Sequence, residues 1–428
     1  MCYKATGMKH TADNDFSSKR VYVLFMLLVV YTFNFLDRQI LSILAIPVKA
    51  DLGLSDTQLG LLGGTAFALF YTTLGIPVAL LADRYSRTTI MTVALALWSA
   101  MTAACGLAHN FWQLFATRLG VGVGEAGGVA PAYSLISDYF PSGQRARALS
   151  VYSFGVPLGT ALGMLIGGIV ASTLNWRYAF IAVGLAGVLL APVFRLTVPE
   201  PPRGRLDPPS PLAAATLRQI LGTLKTKTGY WLICLGASSA SIIGYGVFFW
   251  LPSVMVRSHG MTLIDASLFM ATLFLTAGIV GIWLGGWAAD RYGRTNRAMY
   301  ALIPAAAFVL CTPLYAIGIF ATSLPLAFVF LFAPMALSLA WLGPVLSTIQ
   351  HLVPPTMRVT ASAVYLFLIN LIGLGLGTVI IGGVSDALTV RFAEDALRYA
   401  MLSGLSLYLV AALLFMLGAR QLARDWEE

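Results

Sequence analysis

Four ionisable side chains sit where a bilayer would make them expensive. Asp37 and Arg38 fall inside the apolar run 20–47, and Arg118 and Glu125 fall inside the run 111–138. Of 18 acidic residues only Asp37 and Glu125 lie well within such a run, and of 27 basic residues only Arg38 and Arg118 do. A charge at mid-membrane costs about 2.5–3.5 kcal/mol or more, so four of them in one half of a chain argue for function. Arg118 and Glu125 are seven apart, which puts them on one helix face about 10 Å from each other. Asp37 and Arg38 are adjacent and point about 100° apart. Two neighbouring helices can therefore bring Asp37 near Arg118 or Glu125 across one cavity. Two carboxylates and at least one guanidinium would then share a low-dielectric site, and shifting an arginine between the carboxylates would change which one binds a proton. That is a proton-coupling device, with Asp37 and Glu125 as its carboxylates. The bland reading of the same residues is two structural ion pairs that hold the two helices together.

The composition says what must position these groups. The chain has 428 residues, 58% hydrophobic and 11% charged, against about 25% charged in soluble domains. Its apolar runs reach the roughly 20 residues that a spanning helix needs. Twelve spans are expected, near 20–47, 57–81, 89–108, 111–138, 147–172, 176–197, 229–256, 263–288, 298–319, 323–350, 359–385 and 397–420. The fold class is an all-α membrane protein in two six-helix halves, 20–197 and 229–420. A Pro-rich basic linker, 198–228, joins them, and tails 1–19 and 421–428 flank them. The first apolar run starts near Val21 and is too long for a signal-peptide core, so it is expected to remain as the first span. The four cysteines have no metal-ligand spacing, and three lie in apolar runs as small packing residues.

The net charge of +9 does not point to nucleic acid, because the basic residues lie in loops. With both termini cytoplasmic, the inner segments hold 20 of the 27 Lys and Arg residues and the outer loops five. This positive-inside bias predicts a multi-pass protein of the plasma (inner) membrane with cytoplasmic termini.

The chain repeats itself. Ala82-Asp83-Arg84-Tyr85-Ser86-Arg87 recurs as Ala289-Asp290-Arg291-Tyr292-Gly293-Arg294, 207 residues later. Pro141, Arg145, Ala148, Val151 and Tyr152 recur as Pro354, Arg358, Ala361, Val364 and Tyr365 at an offset of 213. Two matched blocks in order imply a parallel six-plus-six duplication, a pattern of transporters whose halves rock. In the fifth span Gly155, Gly159, Gly163 and Gly167 recur every four residues around Pro157, a smooth ridge that lets another backbone approach closely. Such a ridge suits sliding helices or static packing equally. The second half carries no mid-membrane charge. It offers Asn370, Tyr245, several serines and many aromatic and aliphatic residues, a lining suited to a greasy or amphipathic solute.

These motifs resemble those of the major facilitator superfamily. The two Asp-Arg loops look like its cytoplasmic signature, although Ala79 and Ser86 replace glycines in the first copy. The resemblance implies a cytoplasmic gate of Asp83, Arg84, Arg87, Asp290, Arg291 and Arg294. In the family the Asp meets a helix N-terminus and an Arg across the seam between halves, latching the outward-open state. The glycine ridge with Pro157 is similar to the family's Gly-Pro motif. Asn34-Phe35-Leu36-Asp37-Arg38, the segment from Arg118 to Ala126 with Pro131 and Arg145, and Val198-Pro199-Glu200-Pro201-Pro202-Arg203-Gly204 together resemble the spinster family. Its eukaryotic members export sphingosine-1-phosphate or lysophospholipids, and the compact loops here fit a prokaryotic member. The resemblance implies Asp37 and Glu125 as proton residues. It also implies Arg38, Arg118 and Asn34 in substrate binding or coupling, with Asn370 facing them.

Two readings follow. The first is a proton-coupled secondary transporter of a lipid-like, amphipathic solute, working as a monomer by alternating access, with protons and membrane lipid as its other partners. The second is a proton- or sodium-coupled symporter of small organic anions, with Arg38 and Arg118 as carboxylate clamps. The anion:cation symporter family also shares the Asn-x-x-Asp-Arg first helix. An enzyme is not expected, for the sequence has no His-Glu-x-x-His, no phosphate-binding glycine loop and no second intramembrane Asp for an aspartyl protease. No cofactor and no metal are expected.

Overall fold

The computed structural model describes residues 3–204, 206, 217–293, 296–354 and 357–426. Ten stretches are helical, long and apolar enough to cross a bilayer, and the last of these, Thr360–Asp425, holds two helices that turn at Ala393. With the broken helix 111–139 this makes twelve spans. They are α1 (Tyr3–Leu52), α2 (Asp56–Arg84), α3 (Arg87–Cys105), α4 (111–139), α5 (142–173) and α6 (Trp176–Thr197) in the first half. The second half holds α7 (Thr228–Arg257), α8 (Leu263–Gly293), α9 (Met299–Ile319), α10 (Leu324–His351), α11 (358–392) and α12 (396–425). A short helix, Leu217–Thr226, closes the linker. The segment 3–19 continues into α1 as helix.

Local chemistry sets the ends. Ser55 caps α2 through a capping box with Gln58, satisfying two donors that a helix start leaves open. Asn110 caps α4 and Asn175 caps α6. Gly53 and Gly260, both with φ near +65°, supply the left-handed residue just beyond the first span of each half. Arg145 donates to the carbonyls of Ser137 and Phe140 at the end of α4, where a cation suits the helix dipole. Two spans carry π-helical turns, Leu61–Thr65 in α2 and Ile369–Leu374 in α11. α4 breaks at 126–128, directly after Glu125.

The glycine ridge of α5 seats α1 of its own half. A Cβ on Gly155 would lie 2.9 Å from the Tyr31 ring, and one on Gly163 would lie 2.8 Å from the Leu36 carbonyl. Gly167 meets Ile40 and Ile43. The ridge therefore packs two helices within one half, while Gly168 faces Ser267 of α8 and Pro157 approaches Gly278. Cys105, Cys234 and Cys311 are free and buried.

The seam between halves is made by α2 against α11, α5 against α8, and α1 against α7. The bonds that join the halves gather toward the end opposite the chain termini. Asp56, 2% exposed, receives both Nη1 and Nη2 of Arg257 at 2.8 Å, Lys49 at 2.6 Å and the Ser385 hydroxyl at 2.7 Å. Asp386 of α11 sits on the N-terminus of α2, accepting from the Asp56 and Thr57 amides at 2.9 and 2.8 Å. Lower on the seam the Ser42 hydroxyl donates to the Phe249 carbonyl. At the terminal end, Asp83, Arg84 and Arg291 are exposed and without an ion-pair partner among the described residues. The molecule is closed at the end opposite the termini.

Candidate functional site

The four intramembrane charges meet where α1 and α4 face each other. Arg38 donates Nε to Glu125 Oε2 at 2.6 Å, with side-chain exposures of 12% and 0%. Arg118, 1% exposed, does not bond a carboxylate. Its Nη1 reaches the Asp37 backbone carbonyl at 3.3 Å and its Nε the Leu62 carbonyl of α2 at 3.4 Å. The sequence places Asp37 beside Arg118 or Glu125. In the structure Asp37 lies beside both, while the direct ion pair is Arg38 with Glu125 and Arg118 holds backbone.

Asp37 is fully buried and neither of its carboxylate oxygens has a hydrogen-bond partner. Its neighbours are Glu125, Arg118, and Thr102 and Trp98 of α3, whose hydroxyl and indole N–H also lack partners. Asn34, one turn earlier on α1, is 2% exposed with both side-chain atoms unbonded. Glu125 Oε1 and Arg38 Nη2 are unbonded as well. Buried polar atoms normally find partners, so this cluster is rich in hydrogen-bonding capacity that the fold leaves unused.

Aromatic rings frame the pair. The Arg38 guanidinium lies 4.4 Å from the centre of the Tyr71 ring, 4.6 Å from Phe67 and 5.0 Å from Phe35. Such stacking holds a cation with about 0.5–2 kcal/mol per ring. Tyr31 and Tyr152 stack at 4.2 Å, with Tyr133 edge-on to Tyr152 at 5.7 Å. From the second half, Tyr245 packs against this cluster and donates its hydroxyl to Asn370 Oδ1 at 3.2 Å. Asn370 lies in the π turn of α11. The second half thus adds an uncharged hydroxyl–amide pair to a wall that is otherwise aromatic. The sequence did not single out Phe67, Tyr71, Tyr31 or Tyr133, since aromatic residues are common in any span. The one usable signal was the four-residue spacing of Phe67 and Tyr71, which puts both on one face of α2.

The residues expected at a cytoplasmic gate divide. Asp83, Arg84 and Arg291 stand exposed at the terminal end. The side chain of Asp290 and the whole of Arg294 lie outside the described residues. Arg87 is 1% exposed and sits inside the first half, away from the seam. Its guanidinium pairs with Asp138 of α4, donates Nε to Glu200 at 2.7 Å and Nη1 to the Ser134 hydroxyl at 2.8 Å, and caps the Pro201 carbonyl at 3.0 Å. Glu200 in turn accepts from the Thr88 amide and the Ser86 hydroxyl at the start of α3. Arg203 donates to the Ala82 and Tyr85 carbonyls at the end of α2. The stretch after α6 is therefore strapped across the ends of α2, α3 and α4.

Comparisons with known proteins agree with this architecture. Residues 27–378 match the family model of the Major Facilitator Superfamily. An MFS-type efflux pump of Mycolicibacterium smegmatis is 31% identical over 94% of this chain and 92% of its own length. Protein spinster homolog 1 of Xenopus laevis is 29% identical over 86% of this chain and 73% of its own. A bacterial homologue of the human lysosomal transporter Spinster, solved in an inward-facing and unoccupied conformation, superposes with a TM-score of 0.88 at 31% identity, covering 96% of this chain and 98% of that one. A D-xylose–proton symporter at 18% identity shares the fold, with a TM-score of 0.68. A chain of twelve spans in two matched halves, with charges buried between α1 and α4, belongs to the spinster family of the major facilitator superfamily and is a membrane transporter rather than an enzyme.

Proposed function

We infer that this transporter moves an amphipathic, lipid-like solute by alternating access, driven by protons that Asp37 and Glu125 bind. The observation that carries the reading is the Arg38–Glu125 pair beside an unbonded Asp37. Glu125 is neutralised by Arg38, whose Nη2 is unbonded, and Asp37 forms no direct ion pair, with Arg118, Thr102 and Trp98 beside it. A proton on Glu125 weakens its hold on Arg38, and the aromatic rings keep the guanidinium in place for an anionic group of the solute. Arg38, with 12% of its side chain exposed, is the better substrate contact. Arg118 is sealed away and positions backbone. Tyr245 and Asn370 give the opposite wall its polar contact.

The positive-inside count puts both termini in the cytoplasm of the plasma (inner) membrane, so the closed end is the outer one and this conformation opens inward. The spinster relationship supports a solute of the lysolipid or sphingolipid class, handled by a monomer in contact with membrane lipid. The small-organic-anion reading rests on the same two arginines. It loses ground because only one of them is placed to touch a solute. The test is reconstitution into liposomes with a pH-sensitive dye inside. Lysolipid addition should move protons in step with lipid flux. Lipid flux with no proton movement would leave a passive carrier, and proton movement only with small acids would favour the symporter.

A further inference from the structure

The first ten residues of α2, 56–65, about 15 Å of helix, are held from two sides. On the side of α11, the Asp56 and Thr57 amides meet Asp386. The Thr378 hydroxyl meets the Gly60 carbonyl at 2.6 Å, and the Thr65 hydroxyl meets the Gly375 carbonyl at 2.6 Å. Gly60 has no side chain to hold the backbones apart, since a Cβ there would lie 2.8 Å from Val379 Cα. On the opposite side, toward the buried charges, Arg118 donates to the Leu62 carbonyl.

Leu62 lies in the π turn Leu61–Thr65. In a π turn the backbone bonds run to the fifth residue, which shifts one carbonyl out of the regular ladder, and such turns gather at functional sites. Here the turn offers one carbonyl to a buried cation and, three residues on, one hydroxyl to the other half of the molecule. A second Arg118 donor, Nη1, goes to the Asp37 carbonyl. Its planar fork is committed in two fixed directions, one to α1 and one to α2, and a point charge could not replace that.

We propose that Arg118 is a positioning residue that couples the buried charge site to the outer seal through the π turn of α2. It holds the Leu62 carbonyl, the turn holds Thr65 against Gly375, and the outer end of α2 stays docked on Asp386. If Arg118 swings toward the Asp37 carboxylate, the bond to Leu62 breaks and the turn is free to regularise, loosening α2 from α11. The path is a contiguous set of bonded groups with two arrangements, the physical form that coupling requires. It holds whatever the solute is.

The test uses the full chain in lipid nanodiscs, spin-labelled at Leu107 and Val390, which are 65% and 99% exposed. The fraction of molecules open at the outer end is read from the distance distribution. Asp386→Asn, Arg118→Gln and Arg118→Lys should each raise that fraction roughly tenfold, the size of a lost charge-assisted hydrogen bond. The double variant Arg118→Lys with Asp386→Asn should go no further than one of them alone. Full rescue by lysine would mean that only charge matters and would overturn the proposal. Multiplying effects in the double variant would show that Arg118 and the seal are independent, with the same consequence. Thr65→Val tests the path without touching a charge, in case the Arg118 variants fail to fold. It should open the outer end several-fold, and an unchanged distribution would remove the π turn from the mechanism.

Discussion

Glu125 and Arg38, 87 residues apart in sequence, share a 2.6 Å ion pair while Asp37, the residue next to Arg38, is fully buried and unbonded. One carboxylate of the site is thus neutralised and the other is not. Glu125→Gln and Asp37→Asn should each abolish proton-driven flux, because each removes a group that can take up a proton without removing its bulk. Both should still fold. Glu125→Gln leaves a buried guanidinium without its counter-ion, and breaking a buried pair costs about 3–5 kcal/mol, so its melting temperature should fall further than that of Asp37→Asn. Proton pumping retained in either variant would withdraw that residue from coupling. An equal loss of stability in both would favour a purely structural pair.

Asp83, in the last turn of α2, behaves differently from the buried acids. It is exposed and has no ion-pair partner among the described residues, while the Asp386 contact to α2 at the other end is formed. Asp83→Asn should therefore leave the stability of this conformation unchanged, within about 0.5 kcal/mol as for a surface substitution. It should lower the outward-open population by removing the latch that the family resemblance implies for that state, and the duplicated Asp290→Asn should act in the same direction. Cysteine labelling from each side of the membrane measures the shift. Unchanged accessibility in both variants would reduce these loops to signals of topology.

Much of this arrangement was legible in the sequence, for physical reasons. A bilayer makes charge expensive, so Asp37, Arg38, Arg118 and Glu125 stood out against a background that contained almost none. The duplication was legible because both copies of the Asp-Arg loop survive. The pairing was not, because residues 100° apart on α1 can be turned toward α4 in more than one way, and only packing fixes the rotation. Phe67 and Tyr71 were hidden among 24 Phe and 17 Tyr residues. The π turns at Leu61–Thr65 and Ile369–Leu374 left no mark in residue type or spacing. Arg87 looked like its repeat partner, yet Glu200 and Asp138 draw it into the first half. The glycine ridge was evident from spacing, and which helix it receives was not.

That ridge gives a stability prediction. A Cβ at Gly159 would lie 2.8 Å from Phe35 Cβ and 3.0 Å from the Leu36 amide nitrogen, so Gly159→Ala forces α1 and α5 apart and should cost about 1–3 kcal/mol as overpacking does. Gly75, in the interior of α2, has nothing within 4 Å. Gly75→Ala should be neutral or stabilise by about 0.5–1 kcal/mol through helix propensity. Thermal unfolding in detergent compares the two. Similar melting temperatures for both would mean that the α1–α5 contact gives way without cost.

The strap after α6 supplies a pH dependence. Burial alone would raise the Glu200 carboxyl, but the Thr88 amide, the Arg87 guanidinium and the Ser86 hydroxyl outweigh it and hold the group below its ordinary 4.5. A carboxyl depressed in the folded state contributes stability that is present in full above its unfolded value and is lost as pH falls through the folded one. The strap should therefore hold at neutral pH and loosen on acidification below pH 4.5. Glu200→Gln should lower stability at neutral pH by about 1 kcal/mol, the upper end for a partly exposed pair, and should lose less than the native chain over the acid window. Parallel melting curves for the two across that window would mean that Glu200 does not carry the linkage.

The solute itself is tested by its length. The first half supplies the only charges of the site, and the second half meets them with Tyr245, Asn370 and apolar surface. A ligand that satisfies both walls needs a charged head and a greasy tail. Each buried methylene adds about 0.8 kcal/mol, close to a fourfold gain in affinity per carbon, until the tail outgrows the space between the halves. Binding of a lysophospholipid series of rising acyl length to the purified transporter should therefore tighten stepwise. Arg38→Ala should weaken lysolipids with anionic heads more than those with neutral heads, because it removes the partly exposed cation of the site and the rings around it do not distinguish charge. The chain-length slope should survive that substitution, since the tail contacts lie elsewhere. A small organic anion would show the opposite pattern, with no gain from added carbons and nearly all its affinity lost with Arg38. Flat or falling affinity along the series would transfer the assignment to that class of solute.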